Sequence, residues 1–381
     1  MKRSHISSPR SYFRPAISFL GVILLFLLGL TLTSQKPSGS TPNRILTGKP
    51  NIPRLAYLVT GTKGDVKRVK RLLRAIHHPR NHYLVHLDLQ ASDEERMDLA
   101  KFVRSEKEKM RNVMVMGLAD LVTEKGPTVL ASTLHGVAIL LKKAEDWDWF
   151  INLGSSDYPL MTQDDILHIF SYLPRYLNFI EHTSNIGWKE SQRARPIIID
   201  PGFYHSKKSG VFWAKERRSL PASFKLFMGS TSVALTRPFL EFCIWGWDNL
   251  PRTLLMYYTN FLLSSEGYFQ TVVCNNKDYQ NTTVNHDLHY THWDTVLQQR
   301  ALNLTVEDFH DMVQSGAPFA REFREGDLVL DKIDAELLGQ TDGGSGLKTP
   351  EIVKPTVSSK RLEKLMVKLL DHENFRAKQC K

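Results

Sequence analysis

From Arg54 onward, short apolar runs alternate with stretches of helical period. LAYLVTG (55–61), HYLVHLD (82–88), NVMVM (112–116), WFINLG (149–154) and NFIEHT (178–183) have the length of strands. Several are apolar throughout, as strands covered on both faces must be. Between them, Asp65 to His78 places Val66, Val69, Leu72, Leu73 and Ile76 on one helical face. Ser92 to Ser105 opens with a capping box, Ser92 and Glu95, and Thr128 to Lys142 is a third helical stretch. This alternation predicts an α/β fold with a largely parallel central sheet. Ligands of such sheets bind outside the carboxyl ends of the strands. Here those ends are Thr60, Gly61 and Thr62; Asp88; Gly117; and Gly154, Ser155, Ser156 and Asp157. Small and polar residues allow close backbone approach to a ligand, although turn chemistry alone selects the same types.

After about Gly202 the pattern is less regular. STSVAL (230–235) predicts a strand, and helices are expected over 237–247, 251–264 and 265–275. Ser264 or Ser265 is a natural N-cap for the third, which would put Glu266 in its first turn, where the helix dipole favours an ionised carboxylate. That placement is also ordinary dipole compensation. A Gly/Ser/Thr-rich loop (340–349) precedes an amphipathic helix, Ser359 to Leu370, expected on the exterior of the domain.

The N-terminal region changes the picture. Pro15 to Gln35 is a run of 21 residues without a charge, about 31 Å as a helix at ~1.5 Å per residue, close to the ~30 Å hydrocarbon core of a bilayer. Lys2, Arg3, Arg10 and Arg14 precede it with no acid among them, which predicts a cytoplasmic N-terminus. A cleaved signal peptide is the alternative, but its apolar stretch would be unusually long and no small-x-small cleavage site follows. The expected layout is a cytoplasmic tail (1–15), a transmembrane anchor (16–35), a Ser/Thr/Pro/Gly stem (36–53) and one lumenal domain (54–381). Sequons at Asn281 and Asn303 are candidate glycosylation sites on the lumenal side.

Composition then narrows the chemistry. The chain has 50 Lys+Arg and 40 Asp+Glu, a net +10; without the four tail cations the balance is 46 − 40 = +6, too mild for nucleic-acid binding. Three cysteines cannot build a disulfide framework or a Cys-rich zinc module. No Gly-x-Ser-x-Gly elbow or His-Glu-x-x-His occurs, and Gly61-Thr62-Lys63-Gly64 is too short for a phosphate loop. Asp146-Trp147-Asp148 has the form of a metal-holding Asp-x-Asp, but it precedes a strand, at the edge of the sheet away from the ligand, and reads as a solvated turn. His286, His289 and His292 are spaced by three and would share a helical face, with no thiolate nearby to complete a zinc site. A diphosphate bound without metal needs fixed cations, for which Lys63, Lys125, Arg321 and Arg324 are candidates. Surface lysines and arginines commonly do no more than keep a face soluble.

INLGSSDYPL, GSTSVALTRPF, CIWGWDNLPRTLLMYYTNFL, SSEGYFQTVVCN and NHDLHYTHWD, in that order, together resemble the core-2/I-branching glycosyltransferase family, and its plant arabinogalactan β-glucuronosyltransferases in particular. The resemblance runs from about Pro53 to about Asp334. It implies a GT-A-like fold behind one transmembrane helix, a type II anchor in the Golgi membrane, and inverting transfer of glucuronic acid from UDP-glucuronic acid to galactose residues of type II arabinogalactan. No metal or other cofactor is implied. By position, Glu266 resembles the catalytic base; Val59, Thr60, Gly61, Asp88, Lys125, Gly126 and Arg321 resemble donor contacts; and Glu181, Trp188, Lys189 and Arg193 occupy the acceptor region. The plant pattern often has a basic residue where Glu322 stands, so Arg321 or Arg324 must compensate, or activity is reduced. Members of the family are richer in cysteine; here Cys243 and Cys274 are the plausible disulfide partners, leaving Cys380 unpaired. Another UDP-sugar donor, such as UDP-N-acetylglucosamine or UDP-xylose, and a non-catalytic glycan-binding protein remain the alternatives.

Overall fold

The computed structural model describes residues 51–106, 108–205, 210–294, 300–339 and 353–380. The expected tail, the span, most of the stem and the loop at 340–349 lie outside them. Among the described residues no helix is long and apolar enough to cross a membrane.

The first half follows the predicted alternation: β1 (Leu55–Gly61), α1 (Val66–Ile76), β2 (His82–Leu87), α2 (Asp93–Ser105), β3 (Val113–Val115), α3 (Thr128–Lys143) and β4 (Trp149–Gly154). It continues through β5 (Tyr158–Pro159), α4 (Gln163–Phe170), β6 (Asn178–Ile180), a π-helical turn (Glu190–Ala194), β7 (Pro196–Ile199) and β8 (Phe212–Arg217). Then come β9 (Val233–Thr236), α5 (Arg237–Trp245), α6 (Leu250–Tyr258), α7 (Tyr268–Asn275), β10 (Thr283–Val284) and β11 (His289–Thr291). The last are α8 (Phe309–Ser315), β12 (Phe319–Arg321), α9 (Leu328–Glu336), α10 (Ser359–Leu370) and α11 (His372–Ala377).

Seven strands form the main sheet in the order β10-β6-β9-β4-β1-β2-β3. Strands β4, β1, β2 and β3 are parallel, and so are β10 and β6; β9 runs antiparallel between β4 and β6. The alternation of side chains along β1 divides the core. Leu55, Tyr57 and Val59 enter the layer shared with α1, α2 and α4, whereas Ala56 and Leu58 enter the layer shared with α3, α5 and α7. Both faces are therefore apolar, which is why these strands read as continuous hydrophobic runs. The capping box at Ser92 and Glu95 is present, and α10 buries Leu362 and Met366 against the first layer.

Several expectations are corrected. The helix expected over 251–264 ends at Tyr258, and Ser264–Glu266 is a separate 3-10 turn. Neither serine caps α7, whose N-cap is Gly267. Leu263 adopts a left-handed conformation and its amide donates to the Lys125 carbonyl at 2.9 Å, so the chain turns before Glu266 instead of entering a helix there. The strand expected over 178–183 stops at Ile180, leaving Glu181 just beyond it. His286, His289 and His292 share no helical face, because their segment is extended around β11. The disulfide joins Cys274 to Cys380, and Cys243 is a buried free thiol.

Candidate active site

The carboxyl ends of β1, β2 and β4 open into one cavity of about 700 Å³, a size suited to a nucleotide-bearing ligand. Parallel register brings Thr60 level with Gly154 on one side and His86 on the other, and all three line it. Asp88 is buried in its wall, where its carboxylate accepts from the Thr62 hydroxyl (3.0 Å) and the Gln90 amide (2.9 Å); burial nevertheless raises its pKa. The His86 Nε2 accepts from the Asp120 amide at 3.0 Å, so the ring proton sits on Nδ1, facing the Ser132 hydroxyl at 3.2 Å. Burial lowers the pKa of this histidine and keeps it neutral.

Arg321 enters the cavity from β12. Its guanidinium donates to the hydroxyls of Thr231 (3.2 Å), Ser232 (3.3 Å) and Thr291 (3.2 Å). Among the described lining residues it is the one arginine or lysine, facing Asp65, Asp88, Glu124, Asp157 and Glu322. Lys63 and Lys125 are exposed outside the cavity, and Arg324 lines a smaller neighbouring cavity of about 220 Å³. The convergence of several cations expected for a diphosphate is thus not what the cavity wall provides. Asp157 at the end of β4 accepts the Gly154 amide at 2.6 Å, and burial raises its pKa despite the nearby His289 and Arg321.

Glu266 lies beside the cavity, next to the lining residues Leu263 and Ser265. Its carboxylate forms a close ion pair with Arg193 and a longer one, 3.8 Å, with Lys189; both cations come from the π-helical turn and the residue preceding it. Arg193 also stacks on Trp188, its guanidinium 5.5 Å from the ring centre. Gly229 brings Glu181 and Glu266 together: its amide donates to the Glu266 carbonyl at 2.8 Å, and a Cβ there would stand 1.8 Å from the Glu181 carbonyl oxygen. Only glycine fits between them. Glu181 is exposed at the rim, yet enough protein surrounds its carboxyl that desolvation raises its pKa, reinforced by Asp287 and Glu266 and opposed by Arg321 and Lys189.

The other expected contacts fall into two groups. Thr60, Gly61, Asp88 and Arg321 line the cavity. Val59 does not: it is fully buried on the opposite side of β1. Lys125 and Gly126 contribute backbone. Lys125 ties the segment to Leu263, and Gly126 packs so closely on Asp200 that a Cβ would stand 2.0 Å from its carboxylate. Asn281 and Asn303 are both exposed. Asp146 and Asp148 sit at the amino edge of the sheet, where Asp146 binds Arg54 and His82 (both 2.9 Å) and Asp148 accepts the Arg54 amide at 2.9 Å. Sequence reasoning missed Asp65, whose carboxylate accepts from the Thr62 amide (2.9 Å) and the Ser155 hydroxyl (2.6 Å) and so joins β1 to β4 at the floor of the cavity.

Parallel strands end in one cavity lined by polar and apolar residues, with the carboxylates of Glu181 and Glu266 beside it, the layout of an α/β protein that binds its ligand at the carboxyl ends of its strands. The Core-2/I-branching enzyme model matches residues 55–313, and the chain belongs to that family. It is a glycosyltransferase with an α/β fold and a mostly parallel sheet. The chain is 86% identical over 385 aligned residues to β-glucuronosyltransferase GlcAT14C of Arabidopsis thaliana, covering 100% of both. It is 49% identical to GlcAT14A of that plant, covering 99% of this chain and 94% of the relative, and 55% identical to GlcAT14B, covering 86% and 80%.

Proposed function

We propose that the protein is an inverting β-glucuronosyltransferase that moves glucuronic acid from UDP-glucuronic acid to galactose residues of type II arabinogalactan. The electrostatic coupling of Glu181 to Glu266 and to Arg321, which lines the cavity, carries this reading, together with the names of the relatives. Glu266 takes the proton of the acceptor hydroxyl as that oxygen forms a bond to the anomeric carbon. The bond from that carbon to the diphosphate breaks, and its electron pair leaves with UDP. Arg193 and Lys189 hold the carboxylate in place, and Arg321 supplies positive charge at the cavity wall. Metal-independent transfer is part of the proposal, supported by the engagement of Asp146 and Asp148 in side-chain and backbone bonds at the far edge of the sheet.

We place the enzyme in the Golgi membrane as a single-pass type II protein with its catalytic domain in the lumen. The apolar run behind a cationic tail, the two exposed sequons and the Cys274–Cys380 disulfide support that topology. Glu266→Gln is expected to leave UDP binding intact and lower turnover by roughly 10²–10⁴-fold, the usual worth of a general base. Wild-type turnover in that variant refutes the assignment. A neutral donor is the second reading, favoured by the five carboxyl side chains that face Arg321 across the cavity. UDP release measured over a panel of UDP-sugars decides between the two.

A further inference from the structure

Strands β7 and β8 pair antiparallel outside the main sheet, with Ile198 opposite Trp213 and Ile199 opposite Phe212. Large rings crowd this region at the surface. Trp213 is 56% exposed, Tyr204 74%, Phe203 43%, and Trp188, just upstream, 42%. The base that carries them is hydrogen-bonded at two ends to segments beside the site. At one end Asp200, itself buried, accepts from the Thr128 amide (2.9 Å) and hydroxyl (2.7 Å) and from the Gly202 amide (2.8 Å), locking the 3-10 turn Pro201–Tyr204 to the first turn of α3. At the other end the Arg218 amide donates to the Arg195 carbonyl (2.8 Å), and its side chain donates to the Ala194 carbonyl (2.9 Å). That second anchor is the π-helical turn whose Arg193 holds Glu266. Gly210, immediately before β8, lines the donor cavity itself.

We propose that the rings of Trp188, of the 3-10 turn Pro201–Tyr204 and of β8 form an aromatic platform for the sugars that flank the acceptor residue, an extended chain of uncharged hexoses. The proposal rests on the reading that Glu266 serves the acceptor hydroxyl. A chain with one residue at Glu266 must leave the site over one of its walls, and the wall running from Trp188 into β7 carries the exposed rings. The apolar C–H face of a hexose stacks on an aromatic ring, while its hydroxyls need polar neighbours. Exposed Lys215, Glu216 and Arg217 on the same strand provide those.

The full-length chain in detergent, as wild type, Tyr204→Ala, Trp213→Ala and Trp213→Phe, is assayed for glucuronyl transfer to a β-galactose disaccharide and to a long β-galactan oligosaccharide. Each alanine variant is expected to raise KM for the long acceptor roughly two- to tenfold, the worth of one aromatic stacking contact. KM for the disaccharide and kcat on both acceptors stay at wild-type values, and Trp213→Phe retains most of the long-acceptor affinity. An unchanged KM for the long acceptor, or an equal rise for both acceptors, overturns the platform. So does a wild-type dimer, seen by light scattering, that Trp213→Ala converts to monomer, because the rings would then belong to a second copy. A wild-type enzyme inactive on both acceptors overturns instead the reading on which the platform rests.

Discussion

The Cys274–Cys380 disulfide ties the C-terminal end of α7, the helix that follows Glu266, to the chain beyond α11, and it closes a loop with a sequence separation of 106. Cross-linking residues that far apart removes about 4–5 kcal/mol of chain entropy from the unfolded state. For a unit of roughly 300 residues, an unfolding entropy of ~2.1 cal/mol/K per residue converts this to about 7 °C in Tm. The assay is a thermal melt followed by intrinsic fluorescence, with and without a phosphine reductant, on wild type, Cys274→Ser and Cys380→Ser. Wild type is expected to lose several degrees on reduction and to fall to the level of the two serine variants, which do not respond. Cys243→Ser keeps the full response, because its thiol is buried and uncoupled from the bridge. A wild-type Tm that stays within about a degree after all thiols are titrated as free refutes the entropic argument. A Cys243→Ser variant that stops responding refutes the pairing.

Three further outcomes follow from the site. The folded-state pKa of Asp157 is raised, so the native state holds its proton longer than the unfolded chain does; this group favours folding at low pH, and that contribution is lost as pH rises above the ordinary carboxylate range. Asp157→Asn, which keeps an acceptor for the Gly154 amide, is therefore expected to gain stability relative to wild type between pH 4 and pH 7, read as the difference in Tm at the two values. Gly126→Ala drives a methyl group into the Asp200 carboxylate and disturbs its bonds to Thr128 and Gly202, which is expected to cost about 2–3 kcal/mol in urea unfolding. Exhaustive chelation with EDTA is expected to leave glucuronyl transfer within about twofold of the untreated rate, and loss restored by Mn²⁺ contradicts metal-independent transfer.

The strand–helix alternation was readable because β1, β2 and β4 are covered on both faces, so that burial alone fixes their apolar runs. The boundaries around Glu266 were not. Ser264 and Ser265 carry the right chemistry for an N-cap, yet the left-handed Leu263 and its bond to Lys125 decide the local path, and neither is written in a local pattern. The antiparallel β9 is another case: STSVAL has strand propensity, but its direction depends on β4 and β6, which lie far away in the chain. Cysteine pairing failed for the same reason, since Cys243 and Cys274 are nearer in sequence while the fold delivers Cys380 to α7. Val59 shows the limit of carrying a motif over residue by residue, because the alternation along β1 that admits Thr60 to the cavity turns Val59 away from it.

The two rim carboxylates differ in surroundings, and that difference assigns their parts. Glu266 is held by two cations, Arg193 on the π-helical turn and Lys189 just before it, an arrangement that keeps the carboxylate pointed. Among the described residues Glu181 forms no such pair: desolvation and then Asp287 favour its protonated form most, Arg321 and Lys189 oppose them, and Glu266 adds the smallest push. In the proposed reaction these surroundings give the two acids different parts: proton acceptance falls to Glu266, whose side chain its ion pairs fix, and orientation of a sugar hydroxyl to Glu181. In that proposal Glu266, which stands beside the cavity next to its lining residues Leu263 and Ser265, meets the acceptor on the outer side of the anomeric carbon.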